Sequence, residues 1–219
     1  MLNTSNRRFG REIVHIKVGT ALQDFGIHKD HLCNTSPYFH AAFNSGFEEA
    51  KTGIMTLEST DLNVFEIFYA WLYTTSLKDE ESVGSWPGEM TLLRLYVFAD
   101  MAQIPALQNA IIRELYEEIM CKGLLGTEFV TLDDLALKYV WDNTTKSSRL
   151  RKFLVDICVW EVNGDIEFSD VVGSGMTIGM CLQIMRAMKR RMSSTPYPTN
   201  PLLNLSNYDE PIPEEKAKM

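Results

Sequence analysis

A chain of 219 residues, 45% hydrophobic and 23% charged, can bury a core without disulfide or metal staples. No stretch approaches the uninterrupted apolar length that a membrane span needs. The formal net charge of −8 works against non-specific binding of nucleic acid over the whole surface.

Met1 to Glu12 is polar, carries Arg7, Arg8 and Arg11 and has no apolar centre, so it does not read as a secretory signal. Residues 1–10 are expected to form a mobile arm. Ile13 to Val18 alternates and ends at Gly19, the pattern of a strand. Ala21 to Asp24 makes a turn and Phe25 to His28 returns, which predicts a hairpin. Two brief helical patterns follow, over 29–33 and 36–45. Pro37 suits the first turn of the second, where its missing N–H costs nothing, and Ser36 can cap that turn. Phe43 to Glu49 reads as a helix end at Gly46 followed by a charged loop. Ile54 to Leu57 is a further strand, and Asp61 opens a helix that runs to Thr74.

Lys78 to Glu89 is an acidic loop broken by Gly84, Pro87 and Gly88. From Met90 the residues Leu92, Leu93, Tyr96, Val97 and Ala99 are nearly all apolar, so that helix is expected to be central and to end at Gln103-Ile104. Pro105 opens the next helix. Its stripe of Leu107, Ile111, Leu115 and Ile119 faces the core, and Glu114, Glu117 and Glu118 are expected on a solvated face, with a break at Gly123 to Gly126. Three more helical patterns follow: Leu132 to Trp141, with Thr131 and Asp134 as a capping pair, Ser148 to Val162, and Met176 to Met192. From Ser193 the chain carries five of its eight prolines and little else apolar, which reads as an extended or disordered strap.

Chemistry has few footholds. His28, His31 and Cys33 lie close together, but a metal would need a ligand from a second cluster, and only His15 and His40 are near in sequence. A capped turn with Cys33 packed and protonated is the expectation. The four cysteines, Cys33, Cys121, Cys158 and Cys181, form no C-x-x-C pair and read as reduced core thiols of a cytoplasmic or nuclear protein. Gly173-x-Gly175-x-x-x-Gly179 has no Lys-Ser/Thr after it and reads as an inter-helix connection. No catalytic residue, metal or cofactor is expected. Lys146, Arg149, Arg151 and Lys152 form a small basic cluster, expected to pair with acids of neighbouring helices. Met176 to Met192 holds five methionines and four cations, Arg186, Lys189, Arg190 and Arg191, and no acid. It is expected to be a core-facing last helix whose cations complement its dipole; the alternative is a face for a membrane surface or a calmodulin-type partner.

Several of these stretches stand in a familiar order: a strand, His28-Lys29-Asp30-His31-Leu32-Cys33, Ser36-Pro37-Tyr38-Phe39, Ser45-Gly46-Phe47 with Glu49, Ile54 with Leu57, Asp61 with Phe65, and Trp71-Leu72-Tyr73-Thr74. Over residues 11–120 this resembles a BTB/POZ domain, most closely the variety of fungal proteins. A resemblance to the C-terminal helical extension of such proteins continues over 127–192, through Ser147-Ser148-Arg149-Leu150-Arg151 and Asp156-Ile157-Cys158-Val159-Trp160-Glu161. The resemblance implies an α+β fold, a helical cluster capped by a small sheet, followed by an all-helical extension and the 193–219 tail. It implies a non-enzymatic protein–protein interaction module that self-associates as a homodimer or serves as an adaptor or scaffold. Alternatives are a substrate adaptor of a cullin-type ubiquitin ligase and a transcription-related scaffold; neither nucleic acid nor membrane is an expected partner. Glu12 and Lys29 match the charged pocket at the dimer groove of some members. Members that dimerise through an extended arm use a helix and strand ahead of the domain, and residues 1–12 are too short for a stable helix. Where cullin-binding members carry a hydrophobic-x-acidic motif, this chain has Thr91-Leu92-Leu93, with no acid.

Overall fold

The computed structural model describes residues 9–77, 87–124, 134–160, 177–194, 196 and 198–213. The chain folds as two compact units, Met1–Leu107 and Gln108–Met219. Among the described residues no helix is long and apolar enough to cross a membrane.

The first unit begins with β1 (Ile13–Val18) and β2 (Gln23–His28), an antiparallel hairpin in which Ile13 faces His28 and Val18 faces Gln23. β3 (Ile54–Leu57) joins the other side of β1 in parallel, so the order is β2-β1-β3. Alternation along β1 turns Val14, Ile16 and Val18 inward, all essentially inaccessible. Between hairpin and β3 lie α1 (Lys29–Thr35), α2 (Pro37–Asn44) and a short α3 (Glu48–Thr52). Ser36 caps α2 as expected: its Oγ accepts from the Phe39 amide at 3.2 Å and donates to the Ala102 carbonyl at 2.5 Å, tying the cap to the far side of the core. α3 occupies part of the stretch read as a charged loop. It is too short to show an apolar period, but Glu48 and Glu49 sit in its first turn and Gly53, at φ +69°, ends it in the left-handed conformation that a Cβ would strain.

Two longer helices complete the unit. α4 (Leu62–Thr74) is capped by Asp61, which accepts from the Asn63 and Val64 amides and from Arg94 Nη1 at 3.0 Å. α5 (Glu89–Met101) is central, as its sequence predicts: Leu92, Leu93, Leu95 and Ala99 are fully buried. Rings build the middle of the core. Phe65 lies 5.4 Å from Phe68 and 5.9 Å from Phe98, and Phe39 stacks on Phe68 at 6.2 Å. Burying such a ring contributes about 2–3 kcal/mol.

α6 (Pro105–Leu124) carries the chain from one unit into the next, and it passes through Gly123 where a break was expected. Glu114, expected on a solvated face, is buried at 8% exposure. The second unit continues with α7 (Asp134–Asn143), α8 (Arg149–Trp160) and α9 (Ile178–Ser193). The Thr131 cap and the glycine-rich connection before Ile178 lie outside the described residues. Thr177 caps α9, accepting from the Met180 amide at 3.4 Å.

The described part of the tail is not the free strap that its prolines suggest. It forms two 3-10 turns, Pro201–Leu203 and Leu205–Tyr208, and buries Leu202 and Tyr208 completely. Tyr208 packs edge-on against Phe153 at 5.3 Å, lies under Lys152 Nζ at 4.1 Å, and donates its hydroxyl proton to Asp156 at 2.9 Å. Arg113 donates to both Asp209 oxygens, and the Asn109 amide pairs with the Glu210 main chain in both directions, at 3.1 and 2.6 Å. Isolated anchors of this kind show no periodicity, so composition hides them.

Candidate interaction surface

Strand register decides what the outer face of the sheet presents. Opposite Ile13, His15 and Lys17 of β1 stand His28, Gly26 and Asp24 of β2, and Ile54 and Thr56 of β3 share that face. Ile13 is 43% exposed and Ile54 39%, so the face carries apolar side chains that nothing in the unit covers. Gly26 makes room for one of them: a Cβ there would meet Ile13 Cγ2 at 3.4 Å and crowd it. The other end of the face is polar, with His15 Nδ1 3.0 Å from Asp24. β2 and β3 are edge strands, and among the described residues no further strand takes up their outer backbone groups.

The expected charged pair stands at the corner where β1 meets α1. The Lys29 amide donates to the Glu12 carbonyl at 2.8 Å, and Lys29 Nζ reaches Glu12 Oε1 at 3.0 Å. Lys29 is 17% exposed and Glu12 63%, so the lysine is set by the fold and the carboxylate faces water. An exposed pair contributes under about 1 kcal/mol.

Beside that corner Phe9 packs on His31 at 4.6 Å, on Tyr73 at 5.6 Å and on His28 at 5.7 Å. The Tyr73 hydroxyl accepts from the His28 amide at 3.2 Å and lies 3.0 Å from His28 Nδ1. His31 Nε2 is 2.6 Å from the Leu72 carbonyl and so donates to it. Both imidazoles therefore fasten the start of α1 to the end of α4. Among the described residues no three His, Cys, Asp or Glu side chains converge as metal ligands. Cys33 is buried with its Sγ 3.8 Å from the Phe39 carbonyl and 3.5 Å from Asn44 Nδ2; burial pushes its thiol up, against a small lowering by Asn44. Cys158 is likewise buried and pushed up to about 12 by burial, which makes it a poor nucleophile.

The cations of the last helix do not act alike. Arg191 turns inward: it donates to the Val159 carbonyl and stacks 4.2 Å over the Trp160 ring, so it closes the end of α8 instead of facing a partner. Arg186, Lys189 and Arg190 are exposed. α9 buries Met180, Ile184 and Ala187, as a core-facing helix should, but its opposite side leaves Ile178 81% and Met192 82% exposed. The basic cluster at the head of α8 also divides. Arg151 is buried and donates to the Trp141 and Thr144 carbonyls and, at 2.8 Å, to Thr144 Oγ1; burial lowers its pKa, with Asp142 opposing. Lys152 pairs with Asp156 at 3.0 Å.

Other placements were not evident from the sequence. Phe47, in a motif quoted above, is 64% exposed just before α3. In Thr91-Leu92-Leu93, the place matched with the cullin-binding motif, both leucines are fully buried. A cation inside the apolar stripe Leu150, Phe153, Leu154 was a signal for Arg151.

Residues 14–119 match the family model described as BTB/POZ domain; the match runs past Leu107, where the first compact unit ends, into α6. No curated protein matches the chain.

Proposed function

With residues 14–119 a BTB/POZ domain, of a family that mediates protein–protein interaction and is generally non-enzymatic, we propose that this chain self-associates through the outer face of its sheet and so presents its helical second unit in two copies. The observation that carries this reading is the pair of exposed isoleucines, Ile13 and Ile54, on a face bounded by two open strand edges. Glu12 and Lys29 lie at its corner, where the 63% exposed carboxylate can take a donor from a second copy and set the register. The His and Cys side chains that lie close together in sequence serve packing: His28, His31 and Cys33 are engaged by Tyr73, Leu72 and Phe39. On this reading the chain is an adaptor or scaffold.

Light scattering on the full chain over a range of concentrations tests it. A dimer that becomes a monomer in the Ile13→Glu, Ile54→Lys double variant, with the helical circular dichroism unchanged, is the expected result. A monomer at every concentration, or a dimer untouched by the double variant, overturns it.

A further inference from the structure

Two basic stretches that are distant in sequence meet in the second unit. Lys146, from the turn before α8, and Arg186 and Arg190, one turn apart on α9, line the same open groove of about 440 Å³. A second groove of about 310 Å³ shares Lys152, Asp156 and Arg190 with the first, so the two adjoin as a trough along α8 and α9. Its far end is lined by Trp160, Ala187, Pro198 and Pro201 and is largely apolar. The charges in the trough are of two kinds. Arg151, Lys152 and Arg191 are committed, to the Trp141 and Thr144 carbonyls, to Asp156 and to the Val159 carbonyl respectively. Lys146, Arg186 and Arg190 have no acidic partner among the described residues, and Asp156, the one acid among the described lining residues, is held by Lys152 and the Tyr208 hydroxyl. Ser148, whose amide closes the turn before α8 on the Thr145 carbonyl, also lines the trough, and its Oγ is buried without a hydrogen-bond partner.

A protein of net charge −8 that gathers, in one trough, three cations with no acidic partner among the described residues has built a local acceptor for negative charge. We propose that this trough binds an extended acidic segment of a partner protein, its carboxylates on Lys146, Arg186 and Arg190 and a following apolar side chain against Trp160 and Pro201. Length favours a peptide over a single anion, because the polar and apolar ends are continuous. The cationic end has no described aromatic side chain on which a base could stack, which disfavours single-stranded nucleic acid. The chain's overall acidity further opposes a long polyanion. This goes beyond self-association, which uses the other unit, and the two fail separately.

Fluorescence anisotropy on the full chain tests the proposal. The probe is a labelled peptide with a block of Asp and Glu followed by Leu; its Asn/Gln counterpart and a single-stranded oligonucleotide are the comparisons. The acidic peptide is expected to bind, to weaken with added salt, and to lose at least about tenfold in affinity with Arg186→Glu, Arg190→Glu. Both arginines are exposed, so the variant should keep its fold, checked by circular dichroism. Arg149→Glu, exposed but outside the trough, should bind as the parent does. No binding, equal binding of the Asn/Gln peptide, an equal loss in Arg149→Glu, or preference for the oligonucleotide overturns the proposal.

Discussion

In the first unit rings join the elements. Phe25 lies 4.9 Å from Phe65, Phe65 and Phe68 each meet Phe98, and Phe39 stacks on Phe68, so sheet, α2, α4 and α5 share one apolar centre. The second unit has a ring contact of this kind, Phe153 with Tyr208, and adds junctions made by side chains that donate to main-chain carbonyls: Arg151 to Trp141 and Thr144, Arg191 to Val159, Asn109 to Glu210. Ring packing is broad and weakly directional, whereas a guanidinium against two carbonyls demands one geometry. The contrast separates junctions defined by volume from junctions defined by direction, and substitutions can break each on its own terms.

The largest effect belongs to the ring core. Phe68 is fully buried between Phe39, Phe65 and Phe98, and Phe68→Ala is expected to cost about 3–5 kcal/mol in urea unfolding, with Phe68→Leu far milder. If Phe68→Leu costs as much as Phe68→Ala, the centre is not volume-defined. Next comes Arg151. Arg151→Met leaves the Trp141 and Thr144 carbonyls without their donor, for an expected loss of about 3 kcal/mol, and Arg151→Lys should recover little of it because an ammonium cannot reproduce the planar fork. Full rescue by lysine, read from thermal melts, would show that charge alone suffices there.

The smallest effect is at the tail, and it carries a pH signature. Burial, then the Asp156 charge and hydrogen bond, push the Tyr208 phenol above its usual value of 10.0. The undocked tail therefore loses its proton first. Docking is fully present below pH 10.0 and falls as pH rises through and beyond it. Tyr208→Phe should cost about 1 kcal/mol at neutral pH and remove this alkaline loss, measured as proteolysis of the tail between neutral pH and pH 11 or so. A tail released equally in parent and variant at high pH would place the sensitivity elsewhere.

Much of the first unit could be read in advance, for physical reasons. Alternation in Ile13–Val18, the Ser36-Pro37 start and the Asp61 cap are local codes, and they appear in the structure where the sequence puts them. What escaped reading depends on distant pairings. The inward turn of Arg191 and the anchoring of Tyr208 rest on residues dozens of positions away. The candidate site divides the same way. Glu12 and Lys29, singled out from the sequence, form an ion pair, but the convergence of Lys146 with Arg186 and Arg190 needs the helices in place.

The clasp between Asn109 and Glu210 has a chemical corollary. A carboxamide can answer a peptide unit with both a donor and an acceptor, and here it does so as a single-residue imitation of a strand. Were Asn109 to hydrolyse to aspartate, oxygen would confront the Glu210 carbonyl where nitrogen now stands, and the segment that follows Tyr208 would come unlatched at a residue no charge count had flagged.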